Sequence, residues 1–72
     1  MIKLIIEEKP RGKFIALFAD GSGCTLFRTK EDGSYLEPPL NEEDSVDIDW
    51  LLDTNYLHWI QLPDDYEIWG EV

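Results

Sequence analysis

Lys13-Phe14-Ile15-Ala16-Leu17-Phe18-Ala19, then Asp20-Gly21-Ser22-Gly23, then Cys24-Thr25-Leu26-Phe27-Arg28-Thr29 is the stretch whose reading decides the fold. Its first seven residues are almost continuously apolar and end at a turn signal. That length suits a strand buried on both faces better than a helix. Asp20-Gly21-Ser22-Gly23 is a hairpin connection, with glycine twice where the backbone must reverse. Cys24 to Thr29 returns as a strand, with Thr25, Phe27 and Thr29 on one face and Leu26 and Arg28 on the other. The unit is a β-hairpin.

Working outward, Ile2 to Glu7 is rich in β-branched residues and reads as a first strand. Lys9-Pro10-Arg11-Gly12 then turns the chain, because Pro fixes φ and Gly tolerates positive φ. Downstream, Glu31-Asp32-Gly33-Ser34 is a second turn, and Tyr35-Leu36 a short strand that Pro38-Pro39 stops. Leu57 to Leu62 reads as a strand ended by Pro63-Asp64-Asp65. Tyr66 to Val72 alternates once more. Residues 41–53 carry two patterns. Asn41 as an N-cap, with Glu42, Glu43 and Asp44 in the first turn, favours a helix. Val46-Asp47-Ile48-Asp49-Trp50 alternates as a strand does. The expectation is a capped turn or short helix near 41–45, then an extended stretch. The fold class expected is α+β, mainly β: one antiparallel sheet of four to six short strands, curled or covered by one short helix.

The chain has 72 residues, enough for one domain, residues 1–72. Three Trp, three Tyr and three Phe compensate for the small core. Cys24 is the single cysteine, so no internal disulfide forms, which points to a reducing cytoplasm. Neither a signal peptide nor an apolar span of membrane length is expected. The net charge is −10. All six basic residues precede Glu31, whereas thirteen of the sixteen acids lie from Glu31 onward with no Lys or Arg among them. Direct nucleic-acid binding and anionic membranes are disfavoured, and basic protein surfaces are favoured as partners.

Catalytic chemistry is not expected. His58 is the only histidine, and neither it nor Cys24 sits in a nucleophile signature. His58 reads as a structural residue, donating to a backbone carbonyl. The Asp20–Gly23 turn lacks the lysine and spacing of a phosphate loop. Between Asn41 and Asp53 no glycine supplies the turn of a calcium loop. No cofactor and no metal are therefore assigned.

What remains is a row of carboxylates. On a strand, Asp47 and Asp49 would point to one face roughly 6.6–6.8 Å apart. Glu42, Glu43 and Asp44 would extend the strip at one end and Asp53 at the other, with Asp64 and Asp65 as a second patch. Arg and Lys that contact phosphate also pair with carboxylate, so such a strip can occupy a nucleic-acid-binding cleft. A solvated, solubilising acidic surface is the competing account.

Two resemblances bear on this. His58-Trp59-Ile60-Gln61-Leu62-Pro63 resembles the HW-x-x-LP ending of an uncharacterised phage and prophage domain family, in which a segment like Phe14-Ile15-Ala16-Leu17-Phe18-Ala19-Asp20-Gly21 forms a strand and turn. That family implies no activity. In size and charge the chain is similar to phage-encoded inhibitors of host defence, including anti-CRISPR proteins, several of which are acidic DNA mimics. The resemblance implies a phage-type inhibitor in the host cytoplasm, bound to a basic, nucleic-acid-handling surface of a host protein. The alternative is a small adaptor that binds a protein through a sheet edge or aromatic patch. Self-association is compatible with either, because an uncovered edge strand invites pairing.

Overall fold

A computed structural model describes residues 1–37 and 44–66. The chain forms β1 (Ile2–Leu4), β2 (Lys13–Phe18), β3 (Cys24–Thr29), β4 (Tyr35–Leu36), α1 (Ile48–Asp53) and β5 (Tyr56–Gln61). The strands make one antiparallel sheet in the order β1-β5-β2-β3-β4. The expected class, a mainly β α+β domain with one short helix against an antiparallel sheet, is the observed one. The alternation expected after Tyr66 falls on residues 67–72, outside the described residues.

The hairpin forms as its turn chemistry dictates. Phe18 N–H donates to Gly23 O and Gly21 N–H to Phe18 O, while Asp20 Oδ1 accepts from Ser22 N–H. Gly21 sits at φ 75°, where a side chain is strained. Phe14 then faces Phe27, and Ala16 faces Thr25.

The inner face of the sheet is an aromatic core. Phe14, Ala16, Phe27, Tyr35, Leu51 and Trp59 are all buried. The Phe14 ring lies 5.7 Å from Phe27, 5.4 Å from Tyr35 and 5.8 Å from Trp59, the last two edge-on. Each such pair contributes about 0.5–1.5 kcal/mol beyond burial alone. Tyr56 stacks on Phe18 at 4.4 Å and hydrogen-bonds Thr25 Oγ1 at 2.6 Å. Two aromatic polar tips find partners: Tyr35 O–H donates to Pro10 O, and Trp59 Nε1–H to Glu8 O.

Two expectations are corrected. The first strand ends at Leu4 rather than running to Glu7. Glu7 and Glu8 N–H both turn back onto Leu4 O, Ile5 becomes buried, and Trp59 holds the Glu8 carbonyl. This ending rests on a residue more than fifty positions away, beyond the reach of local pattern.

In the second correction, the extended stretch expected after residue 45 gives way to a helix from Ile48. Val46 is extended and bridges Tyr35 through two backbone bonds of 2.7 Å. Asp47 is the N-cap of α1, in extended backbone, its Oδ1 accepting from Trp50 N–H at 2.9 Å. The helix follows, and its turn brings Leu51 fully into the core with Ile48 and Leu52 packed beside it. A strand through Trp50 would need a long partner edge, and β4 has two residues. Of the capped turn or short helix expected near 41–45, residues 41–43 lie outside the described residues, and Asp44 is in tight helical turn.

Candidate functional site

The acidic residues are placed first, because the sequence singles them out. Asp47 and Asp49 do not share a strand: Asp47 caps α1 and Asp49 is in its first turn. Asp49 and Asp53, four apart, share the exposed side of α1. Asp44 is exposed on the approach to the helix. Asp64 and Asp65 lie in the turn after β5, beside Gly12, with Asp64 Oδ1 3.8 Å from where a Gly12 Cβ would stand. The whole of β5, about 17–20 Å of strand, separates them from the end of α1. Glu42 and Glu43 lie outside the described residues. Among the described residues, helix spacing sets Asp49 and Asp53 on one side of α1, and Asp47 has a capping task of its own.

The outer face of the sheet is a feature the sequence shows only in part. No residue of the described strands is a carboxylate. The register aligns Leu4, His58, Leu17 and Cys24 in one row across four strands, and Ile2, Ile60, Ile15 and Leu26 in the next. A third row sets Lys13 opposite Arg28, and Arg28 opposite Leu36. Side chains directly opposite on paired strands project to the same face, so these rows form one surface. Ile2 is 61% exposed, and Leu4, Ile15, Leu17, Leu26, His58 and Ile60 are half-buried. The described helix packs on the other face, through Leu51, Ile48 and Leu52. At the Asp20 end of the outer face a groove of about 360 Å³ is lined by Ile2, Leu17, His58 and Asp20 among others. The apolar run of β2 signals a strand buried twice over; the rows across the sheet follow only from the strand order.

Other chemistry is sparse among the described residues. His58 lies between Leu4 and Leu17 on the outer face. The carbonyl acceptor expected for its ring is not among its described contacts, and the half-buried ring lines the groove beside Leu17. Cys24 is an exposed free thiol. No three His, Cys, Asp or Glu side chains are grouped to hold a metal ion. An open depression of about 380 Å³ lies along Arg28 to Asp32, and one of about 480 Å³ beside Phe18, Thr54 and Asn55. The titratable groups that shift do so for local reasons. Ser22 and Ser34, through hydroxyl and then backbone N–H donors, hold the Asp20 and Asp32 carboxyls below their ordinary value. Burial pushes the Tyr35 phenol up. No described helix is long and apolar enough to cross a membrane.

Comparison with protein-family models, curated proteins and solved structures gives no match to this chain.

Proposed function

We propose that this chain is a small interaction module that binds an apolar protein surface through the outer face of its sheet. The observation that carries the reading is the pairing of two apolar sheet faces with one described helix. A sheet apolar on both faces is the pattern of one covered on both sides. None of the described strands carries an acid, which keeps this surface free of the charge that opposes apolar contact. The lone exposed thiol of Cys24 supports a reducing, cytoplasmic setting.

A second reading, the phage-type inhibitor that mimics nucleic acid on a basic host surface, draws on Asp49 and Asp53 projecting from α1 and on the net charge of −10. Salt separates the two. Binding is measured from about 0.05 to about 0.5 M salt, a range over which the Debye length falls several-fold. An apolar interface holds its affinity across that range and loses it on Leu26→Lys. Mimicry loses affinity steeply with salt and on the double change Asp49→Asn, Asp53→Asn. That second outcome would replace the first reading.

A further inference from the structure

We propose that Trp50 and Asp53 of α1 form a site for an arginine side chain, presented by a basic segment of a partner protein. The site lies on the helix, away from the outer face of the sheet, and does not depend on how that face is read.

The anchor is an exposed indole. Trp50 is 42% exposed, whereas Trp59 is fully buried. Its ring ends a series of three. Phe18 stacks on Tyr56 at 4.4 Å, and Trp50 lies 6.4 Å from Tyr56, tilted by 32°. Contact with Tyr56 on one side leaves ring area open to solvent on the other. Among aromatic side chains, tryptophan attracts a cation to its face most strongly.

Unpaired carboxylates flank the ring. Asp53 follows Trp50 by three residues, so the two are neighbours on the helix surface. Helical side chains lean toward the N-terminus, which carries the Asp53 carboxylate back over the turn that holds Trp50. Asp49 adds charge beside them. Among the described residues, neither Asp49 nor Asp53 makes a hydrogen bond or an ion pair. The chain has no Lys or Arg after Lys30. Lys13 and Arg28 lie at the opposite end of the sheet from Phe18 and Tyr56. The charge that complements this site therefore comes from another molecule.

The fold already uses this pairing once. Lys3 Nζ lies 4.8 Å over the Trp59 ring and 3.1 Å from Glu8 Oε2, a cation held between an indole and a carboxylate. At Trp50 the same two groups are turned outward. Arginine fits them better than lysine, because a flat guanidinium stacks on the ring while its in-plane N–H groups reach the carboxylate. Past Thr54 the depression of about 480 Å³ beside Phe18, Asp20 and Asn55 gives room for the residues next to that arginine.

An NMR titration of the ¹⁵N-labelled full chain tests this, at about 0.05 M salt, where charge attraction is little screened. The probes are acetyl-Gly-Ser-Arg-Ser-Gly-amide and the same peptide with citrulline, which keeps the shape of arginine and loses its charge. The expected result is a saturable shift of the Trp50 indole N–H and of the amides of 48–54, with the arginine peptide about tenfold tighter than the citrulline one. Trp50→Leu and Asp53→Asn should each weaken the arginine peptide about threefold or more. The comparison of the two peptides needs no variant to fold. Equal binding of both peptides, unchanged binding by Trp50→Leu, or shifts as large at Asp64 and Asp65 as along α1 would overturn the site. Any of these would leave the outer-face reading standing, since that reading is decided by Leu26→Lys.

Discussion

Trp59 Nε1 donates to the carbonyl oxygen of Glu8 at 2.9 Å, across fifty-one residues of sequence. The bond fastens the turn after β1 to the centre of the sheet. Lys3 adds to it from two directions, its Nζ 4.8 Å over the Trp59 ring and 3.1 Å from Glu8 Oε2. Trp59→Phe keeps an aromatic ring and removes the donor. The expected loss is about 1–3 kcal/mol, the range for an orphaned buried polar group, read as a lower midpoint in urea. Amide exchange at Glu7 and Glu8 should quicken more than exchange at Phe14. Equal quickening at both places would show that the bond does not fasten this turn in particular.

The Asp47 cap gives a second expectation. Asp47→Ala removes the acceptor for Trp50 N–H and should cost about 0.5–2 kcal/mol. Asp47→Asn keeps the acceptor and should stay within about 0.5 kcal/mol of wild type. Thermal melts of both separate a structural task for this carboxylate from a charge task. If Asn is as harmful as Ala, the side chain acts by charge and the capping account fails.

Asn55 holds φ at 71°, which lets α1 end and β5 begin within two residues. Asn55→Gly should leave stability nearly unchanged. Asn55→Ala should cost roughly 1–2 kcal/mol, the penalty of a left-handed residue bearing a Cβ. Denaturant midpoints of the two variants provide the check, and equal midpoints would remove the conformational argument.

Stability should bend at both ends of the pH scale. Asp20 and Asp32 have carboxyl values held below 3.8, so their contribution is present above that value and is lost as pH falls through the lower folded values. Tyr35 is displaced upward from 10.0, so its neutral form favours the fold below that pH, and the advantage is lost as pH rises through the folded value. Asp32→Asn should flatten the acid limb and Tyr35→Phe the alkaline limb in denaturation followed by circular dichroism. A Tyr35→Phe alkaline limb as steep as that of wild type would assign the limb to other groups.

The hairpin from Lys13 to Thr29 was legible because its turn chemistry and its alternation are both local. Tyr35-Leu36 and the strand ending near Leu62 were legible for the same reason. Val46 to Trp50 misled because period two matches a strand, while the deciding bond, Asp47 to Trp50 N–H, spans only three residues and competes with that pattern. The placing of Asp47 and Asp49 on one strand face followed from that pattern, whereas the fold makes Asp47 the cap of α1 and puts Asp49 in its first turn. The outer face was half legible. The two-sided apolarity of β2 announced it, but Ile2 and Ile60 join Ile15 and Leu26 only once β5 inserts between β1 and β2.

The Val46–Tyr35 bridge has a consequence for growth. It occupies the far side of β4, so among the described residues only β1 offers backbone groups to an incoming strand. Pairing of two molecules through that one border uses up the opening on each. Polymerisation by strand addition needs two open borders per molecule, and the described residues leave one, which favours a closed pair over a fibre.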